Sequence, residues 1–346
     1  MTNNPQFQRP SFKFRGRKSP LALTIGALVI TGALFTALSG FYADWLWFKS
    51  VDFTSTWSTI LGTKVFLFFV TGLLTASIVL ANVWIAYKRR PLYVSMTMES
   101  DNLERYRSQV EPIRRSLFIG GFLALFYFAG TSGSTLWSSW LLFKNSTDFG
   151  VKDPQFNMDI SFFAFRLPFW QTIIGWGIST LVLAIIASTV VHYLYGGIRL
   201  QVQEDRTTVA ARLQLSVLLG GVVLLKAVAY WFDRFALALK ESKIITGLTY
   251  TDVNAVLPAK AILSGIALVC ALLFFANIIR RSWVLPAAGT ALLVISSVLI
   301  AGLYPAAIQN FQVKPSESSK EAPFIQRNIE STRAAYGLED VTVTDY

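Results

Sequence analysis

LQLSVLLGGVVLLKAVAYWFDRFALALKESKIITGLTYTDVNAVLPAK, residues 213–260, is the stretch whose reading decides the fold. Its first half is apolar for roughly 20 residues, the length an α-helix needs to cross the hydrocarbon core of a bilayer. Lys226 sits deep inside that run, and Asp233 and Arg234 follow two turns later, where the run ends. At about 1.5 Å per residue, Lys226 lies on the order of 10 Å below that end, where an unpaired ammonium costs a few kcal/mol or more. Tyr230 and Asp233 fall near the same helical face. Lys226, Tyr230, Asp233 and Arg234 are therefore the candidate ligand-binding residues, with an anionic group as the ligand. The plainer expectation is that Lys226 snorkels outward and pairs with Asp233 or with carbonyls of a neighbouring helix.

The same pattern recurs along the chain. Hydrophobic residues make up 53% of it, and apolar runs repeat, which predicts an all-α polytopic membrane protein. Spans are expected at about 21–46, 60–87, 116–142, 169–195, 213–235, 261–279 and 283–304, seven in all. The net charge of +11 does not indicate nucleic acid, because the basic residues cluster beside the apolar runs, as topology signals do. Residues 1–20 carry Arg9, Lys13, Arg15, Arg17 and Lys18 without an acid and are expected to be a disordered cytoplasmic tail. Ala37-Leu38-Ser39 resembles a signal cleavage site, but the first run is too long for a signal peptide and fits an uncleaved anchor.

This assignment puts the N-terminus in the cytoplasm and the C-terminus outside. Lys88-Arg89-Arg90, the segment 91–115 with one short surface helix, the loop 198–212 and Arg280-Arg281 then face inward. Those segments hold roughly twice as many Lys and Arg as the short outer loops. Trp45, Trp47, Trp57, Trp137, Trp140, Trp170 and Trp231 fall at outer span ends as an aromatic belt.

The outer loops hold the sharper patterns. Residues 144–168 carry Asp148, Asp153 and Asp159 at a spacing that matches no calcium loop, and their ISFFAF run is expected to lie along the interface. In YTDVNAVLPA, Thr251 or Asp252 followed by Pro258 suits a cap entering the sixth span; the alternative is a docking surface. Asp153, Phe156, Asp159, Arg166, Tyr250, Asp252 and Asn254 are the outer-loop docking candidates. Ala129 and Gly133 fit a small-xxx-small pattern for close helix packing, with a helix break there as the alternative. Gly196-Gly197 marks a helix stop, and His192, the only histidine, is expected to be an interfacial hydrogen-bonding residue. In the tail, Ser318 and Glu321 resemble a capping box, and a helix is expected over 319–336 with Ile325, Ile329, Thr332 and Tyr336 on one partly apolar face. VTVTDY then begins a strand-like run, so 305–346 reads as the start of an external domain.

Four stretches resemble the large bacterial membrane proteins grouped as Uncharacterised Protein Family 0182. They are DPQFNMDISFFAFRLPFW at 153–170, YWFDRFAL at 230–237, TGLTYTDVNAVLPA at 246–259 and YPAAIQNFQVKPSESSKEAPFIQRNIESTRAAYGL at 304–338. The resemblance implies seven spans in the bacterial plasma membrane followed by a large extracytoplasmic domain, of which this chain would carry only the start. It implies no established activity and no catalytic residues.

Several chemistries find no foothold. There is no Walker-type loop, GxSxG, HExxH or Cys/His metal cluster, so no cofactor, metal or catalytic residue is expected. No acid lies in the middle of a span, where ion-coupled transporters usually place one. The function expected is therefore an integral membrane anchor or scaffold of the cell envelope, whose partners are the bilayer and an external domain or proteins on the outer face. The alternative is a permease or lipid-handling transporter with Lys226 in its ligand site. An enzyme ranks last.

Overall fold

The computed structural model describes residues 20–91, 98–199, 206–241, 245–280, 284–341 and 344. The basic tail and most of VTVTDY lie outside the described residues. Among the described residues, seven helical stretches are long and apolar enough to cross a membrane: Thr24–Ser50, Thr54–Lys88, Leu103–Ser134, Phe162–Leu194, Val209–Leu239, Asp252–Arg280 and Val284–Ala335. Among the described residues there is no strand, only isolated bridges such as Lys152 with Asp159.

The chain divides after Gly62 into two units. In the first, α1 (Pro20–Ser50) turns through Asp52, at φ +58°, into the opening turns of α2 (Thr54–Lys88). The Phe53 N–H bonds Phe48 O at 2.9 Å, and Phe41 meets Trp57 edge-on at 5.0 Å. No described side chain of α1 is buried, and large apolar residues such as Leu28 and Phe35 face outward. Water would not tolerate such a surface, whereas lipid does.

The second unit holds the rest of α2, then α3 (Met98–Ser134), α4 (Trp137–Lys144), α5 (Leu167–Leu194), α6 (Val209–Ala236), α7 (Leu257–Arg280) and α8 (Val284–Ser296). Short α9 (Tyr304–Ala307) leads to α10 (Glu317–Ala335). Its packing reverses that of a soluble core. Small and neutral polar residues face in: Ala76, Ala184, Ser188, Ser216, Ala267 and Ala271. Helices can then approach closely without relying on water exclusion. A Cβ on Gly133 would strike Thr71 Oγ1, one on Gly130 the Phe68 ring, and one on Gly72 the Phe126 carbonyl. The Thr71 hydroxyl bonds across to Ala129 O at 3.1 Å. The Ala129–Gly133 pattern thus serves close packing of α3 on α2.

The third expected span is nevertheless broken: α3 stops at Ser134 and α4 restarts at Trp137. The hydroxyls of Thr131, Ser134 and Thr135 bond carbonyls three or four residues back, and so compete with the helical ladder. The separate surface helix expected within 91–115 is instead the first part of α3, which runs on through Pro112. Arg107 with Glu104 and Arg114 with Glu111, both one turn apart, help hold that polar half helical.

Prolines explain the other boundary shifts. Four π-helical turns, Phe162–Arg166, Asp252–Val256, Ser297–Leu303 and Ile308–Val313, each end two residues before a proline: Pro168, Pro258, Pro305 and Pro315. Proline brings no N–H, and its ring crowds the carbonyl four residues back. A widened turn relieves both problems. Leu167 N–H reaches Phe162 O, and Leu257 N–H reaches Asp252 O. Helix therefore runs continuously from Ile160 and from Tyr250, well before the expected starts at 169 and 261. The ISFFAF run belongs to that helix, which buries Phe163 and Leu167. Helix likewise continues past 304, from Val284 to Ala335.

Candidate functional site

Lys226, Tyr230, Asp233 and Arg234 share one helix, α6, but do not converge. The Lys226 side chain is exposed, and its Nζ lies 4.9 Å over the Tyr230 ring. Asp233 pairs with Lys260 of α7 at 3.5 Å, not with Lys226. Arg234 lies 4.5 Å over Trp231. Lys64 of α2 makes the same kind of contact, 5.5 Å over Trp137.

The helix ends carrying segments 145–161 and 245–256 are called here the aspartate end. In segment 145–161 two of the carboxylates take their amides from the segment itself. Asp153 accepts the Gln155 and Phe156 amides at 2.9 and 2.7 Å, while Asn157 takes φ +54°. Asp159 accepts the amides of Phe149, Gly150 and Ser161 at 3.0, 2.9 and 2.8 Å. The Ser161 side chain and these amides hold the Asp159 carboxyl down at a pKa of about 2. Asp148 pairs with Arg166 at 3.4 Å. Each carboxylate is thus engaged by protein donors, and no acid, histidine or cysteine cluster that could hold a metal occurs among the described residues. Phe156 packs on Phe163 and Phe235.

Segment 245–256 is a junction of three elements. Asp252, 1% exposed, accepts Lys240 Nζ at 2.7 Å and Thr249 Oγ1 at 2.7 Å. Thr249 and Asp252 form a reciprocal cap, since the Asp252 N–H returns to Thr249 Oγ1 at 3.3 Å. The cap therefore begins at Thr249, not at Thr251. Glu321 of α10 accepts the Tyr250 N–H at 3.0 Å. It makes no capping box with Ser318; Ser316 stands at the N-cap of α10. Lys320 lies 4.8 Å over the Tyr250 ring, and Phe324 meets the same ring edge-on at 6.4 Å. Asn328 bonds Thr246 O at 2.9 Å, and Thr251 bonds Gln309. The docked face of α10 is thus Glu321, Phe324 and Asn328. Ile329 and Tyr336 of the expected face stay exposed. Asn254 is exposed and bonds Tyr250 O within its own turn.

Two further groupings escape a linear reading. In the interior, His192, 1% exposed, bonds Gln214, which reaches Asn82 O at 2.8 Å and lies 3.4 Å from Ser188. Gly196, at φ +74°, and Gly197 end α5 as expected, with the Gly197 N–H bonding His192 O. At the opposite, arginine end, Glu111 accepts Tyr87 OH at 2.8 Å and Tyr195 OH at 3.0 Å. Arg114 lies 2.6 Å and Arg90 3.8 Å from the same carboxylate.

The architecture defines an α-helical protein with, among the described residues, seven membrane-length helices, an aspartate-stapled end and an arginine-rich end. By sequence it belongs to the Uncharacterised protein family (UPF0182), whose model matches residues 21–346. A UPF0182 protein of Streptomyces coelicolor is 48% identical over 343 residues, covering 98% of this chain and 34% of the relative. One from Nocardioides is 44% identical, covering 99% and 34%. One from Frankia casuarinae is 44% identical, covering 94% and 32%. The chain thus spans about a third of the length of these curated relatives. No solved structure matches it.

Proposed function

We propose that this chain is a membrane anchor and scaffold of the bacterial plasma membrane, with its arginine end in the cytoplasm and its aspartate end outside. The observation that carries the reading is the clasp of Glu321 and Asn328 on Tyr250 and Thr246. Through it the last membrane helix continues out of the bilayer as one helical path to Ala335 and is fastened to a neighbouring loop. Arg327 adds a 3.5 Å contact to Gln155 in the other aspartate loop. A helix fixed in this way can bear load, so protein attached beyond it would be held at a set orientation. The exposed Ile329 and Tyr336 are the side chains such a partner or following domain would cover. The arginine end satisfies the positive-inside rule in this orientation. The permease alternative rests on the depth of Lys226 in its apolar run, and among the described residues the contact of Lys226 is with Tyr230.

The test uses intact bacterial cells. A photo-crosslinking residue at Ile329 or Tyr336 should give a discrete protein adduct or an internal crosslink, and one at Lys226 only lipid. No protein adduct or internal crosslink at either α10 position would refute the scaffold. A cysteine at Tyr336 should react with a thiol reagent that cannot enter cells, and one at Arg115 should not. The native Cys270 is buried and keeps the background low.

A further inference from the structure

We propose that the groove between α2, α3 and α5 at the arginine end binds an anionic glycerophospholipid, its phosphate on Arg114 and Arg115 and its acyl chains along the apolar walls. The groove encloses about 480 Å³. Its walls are Leu80, Val83 and Trp84 of α2, Phe118 of α3, and Val191 and Leu194 of α5. Polar side chains gather at one end: Tyr87, Tyr195, Arg114 and Arg115.

The fold keeps this space open. Nearer the aspartate end, α2 and α3 touch backbone to side chain at Gly72, Gly130 and Gly133. At the arginine end they are tied through Tyr87, Glu111 and Arg114. Between these ties stand large side chains, and Trp84, Leu117, Phe118 and Ile119 remain exposed. Leu80 lies seven residues from Tyr87, so the walls descend about 10 Å from the phenol.

Charge decides which lipid fits. Among the described side chains there, Arg90, Arg107, Arg114 and Arg115 stand against Glu104 and Glu111. Glu104 is spent on Arg107, and Glu111 on Arg90 and Arg114. Arg115 makes no ion pair among the described residues. A neutral lipid would leave Arg115 unmatched, and a soluble phosphate would leave the walls bare. An anionic phospholipid satisfies both.

The test is native mass spectrometry of the protein released from nanodiscs of equal phosphatidylglycerol and phosphatidylcholine. The wild type should retain phosphatidylglycerol preferentially. Arg115→Gln breaks no ion pair among the described residues and should lower that preference about fivefold, the effect of roughly 1 kcal/mol per basic residue at an anionic lipid surface. Ile119→Trp, at a position 60% exposed and on the groove wall, should displace both lipids. Arg280→Gln, on another helix of the same charge, should change nothing, and free glycerol phosphate should not compete. Equal retention of the two lipids, an unchanged preference in Arg115→Gln, or displacement by glycerol phosphate would each overturn the proposal.

Discussion

Segments 145–161 and 245–256 each lead through an aspartate and a π-helical turn into a Leu-Pro pair and a membrane-length helix. Their aspartates end in different surroundings. Asp159 is ringed by amides of its own segment, so the loop is satisfied without outside help. Asp252 is buried and draws its donors from Thr249 and from Lys240 beyond the end of α6, while the adjoining Tyr250 amide is taken by α10. Similar local chemistry thus builds a closed loop in one place and a joint in the other. What differs is whether the donors are local or come from another element: Asp159 takes its amides from its own segment, whereas the junction at Asp252 and Tyr250 ties Lys240 and α10 to the start of the next helix.

Removing the joint's central charge should have the largest effect. Asp252→Ala leaves the Lys240 ammonium and the Thr249 hydroxyl without their acceptor. A fully buried pair loses about 3–5 kcal/mol in this way. Lys240 is 46% exposed on its side chain and can rehydrate, so about 2 kcal/mol is expected. Thermal unfolding in mild detergent reads the loss. Hydrogen exchange should also rise together in segment 245–256 and in α10, because the two share Tyr250. If α10 kept its protection, the joint would be no joint.

Thr249→Ala is the next step down. It removes one half of the reciprocal cap and should cost about 1 kcal/mol. The change should loosen the first turn at Tyr250 and Thr251 while Glu321 still holds the Tyr250 amide. Exchange confined to that turn, with α10 unmoved, would separate capping from coupling.

The helices and their apolar faces were open to inspection in the sequence, because membrane length and hydropathy leave few alternatives. The same holds for Gly196-Gly197 and for the close approach at Gly133. Boundaries were less legible. Pro168, Pro258 and Pro305 look like helix starts or stops along the chain, yet each sits inside a continuous helix that absorbs it with a wide turn. The joint was half visible. Tyr250 and Asp252 stood out by pattern, but Glu321 offered a local capping partner in Ser318 and went instead to a loop 71 residues away. Gln214, Asn82 and Glu111 carry a weaker signal: polar residues in or beside apolar runs, each needing a partner that the linear sequence does not name. Lys226 drew attention for its depth, and the structure turns it outward over Tyr230.

The smallest effect sharpens the comparison from the side of the closed loop. Folding holds the Asp159 carboxyl at about 2, below its ordinary 3.8, so the charged form is the one the fold favours. A depressed carboxyl contributes fully above its unfolded value and loses that contribution as pH falls through the folded one. The amides of Phe149, Gly150 and Ser161 should therefore stay protected from neutral pH down to about pH 4 and open only across the interval from 3.8 to about 2. Asp159→Asn keeps the shape but not the charge. It should weaken protection of the three amides at neutral pH and remove the acid step, while α10 and segment 245–256 stay unchanged. Loosening that spread from Asp159→Asn into α10 would mean the two loops are coupled after all, and the contrast between closed loop and joint would fail.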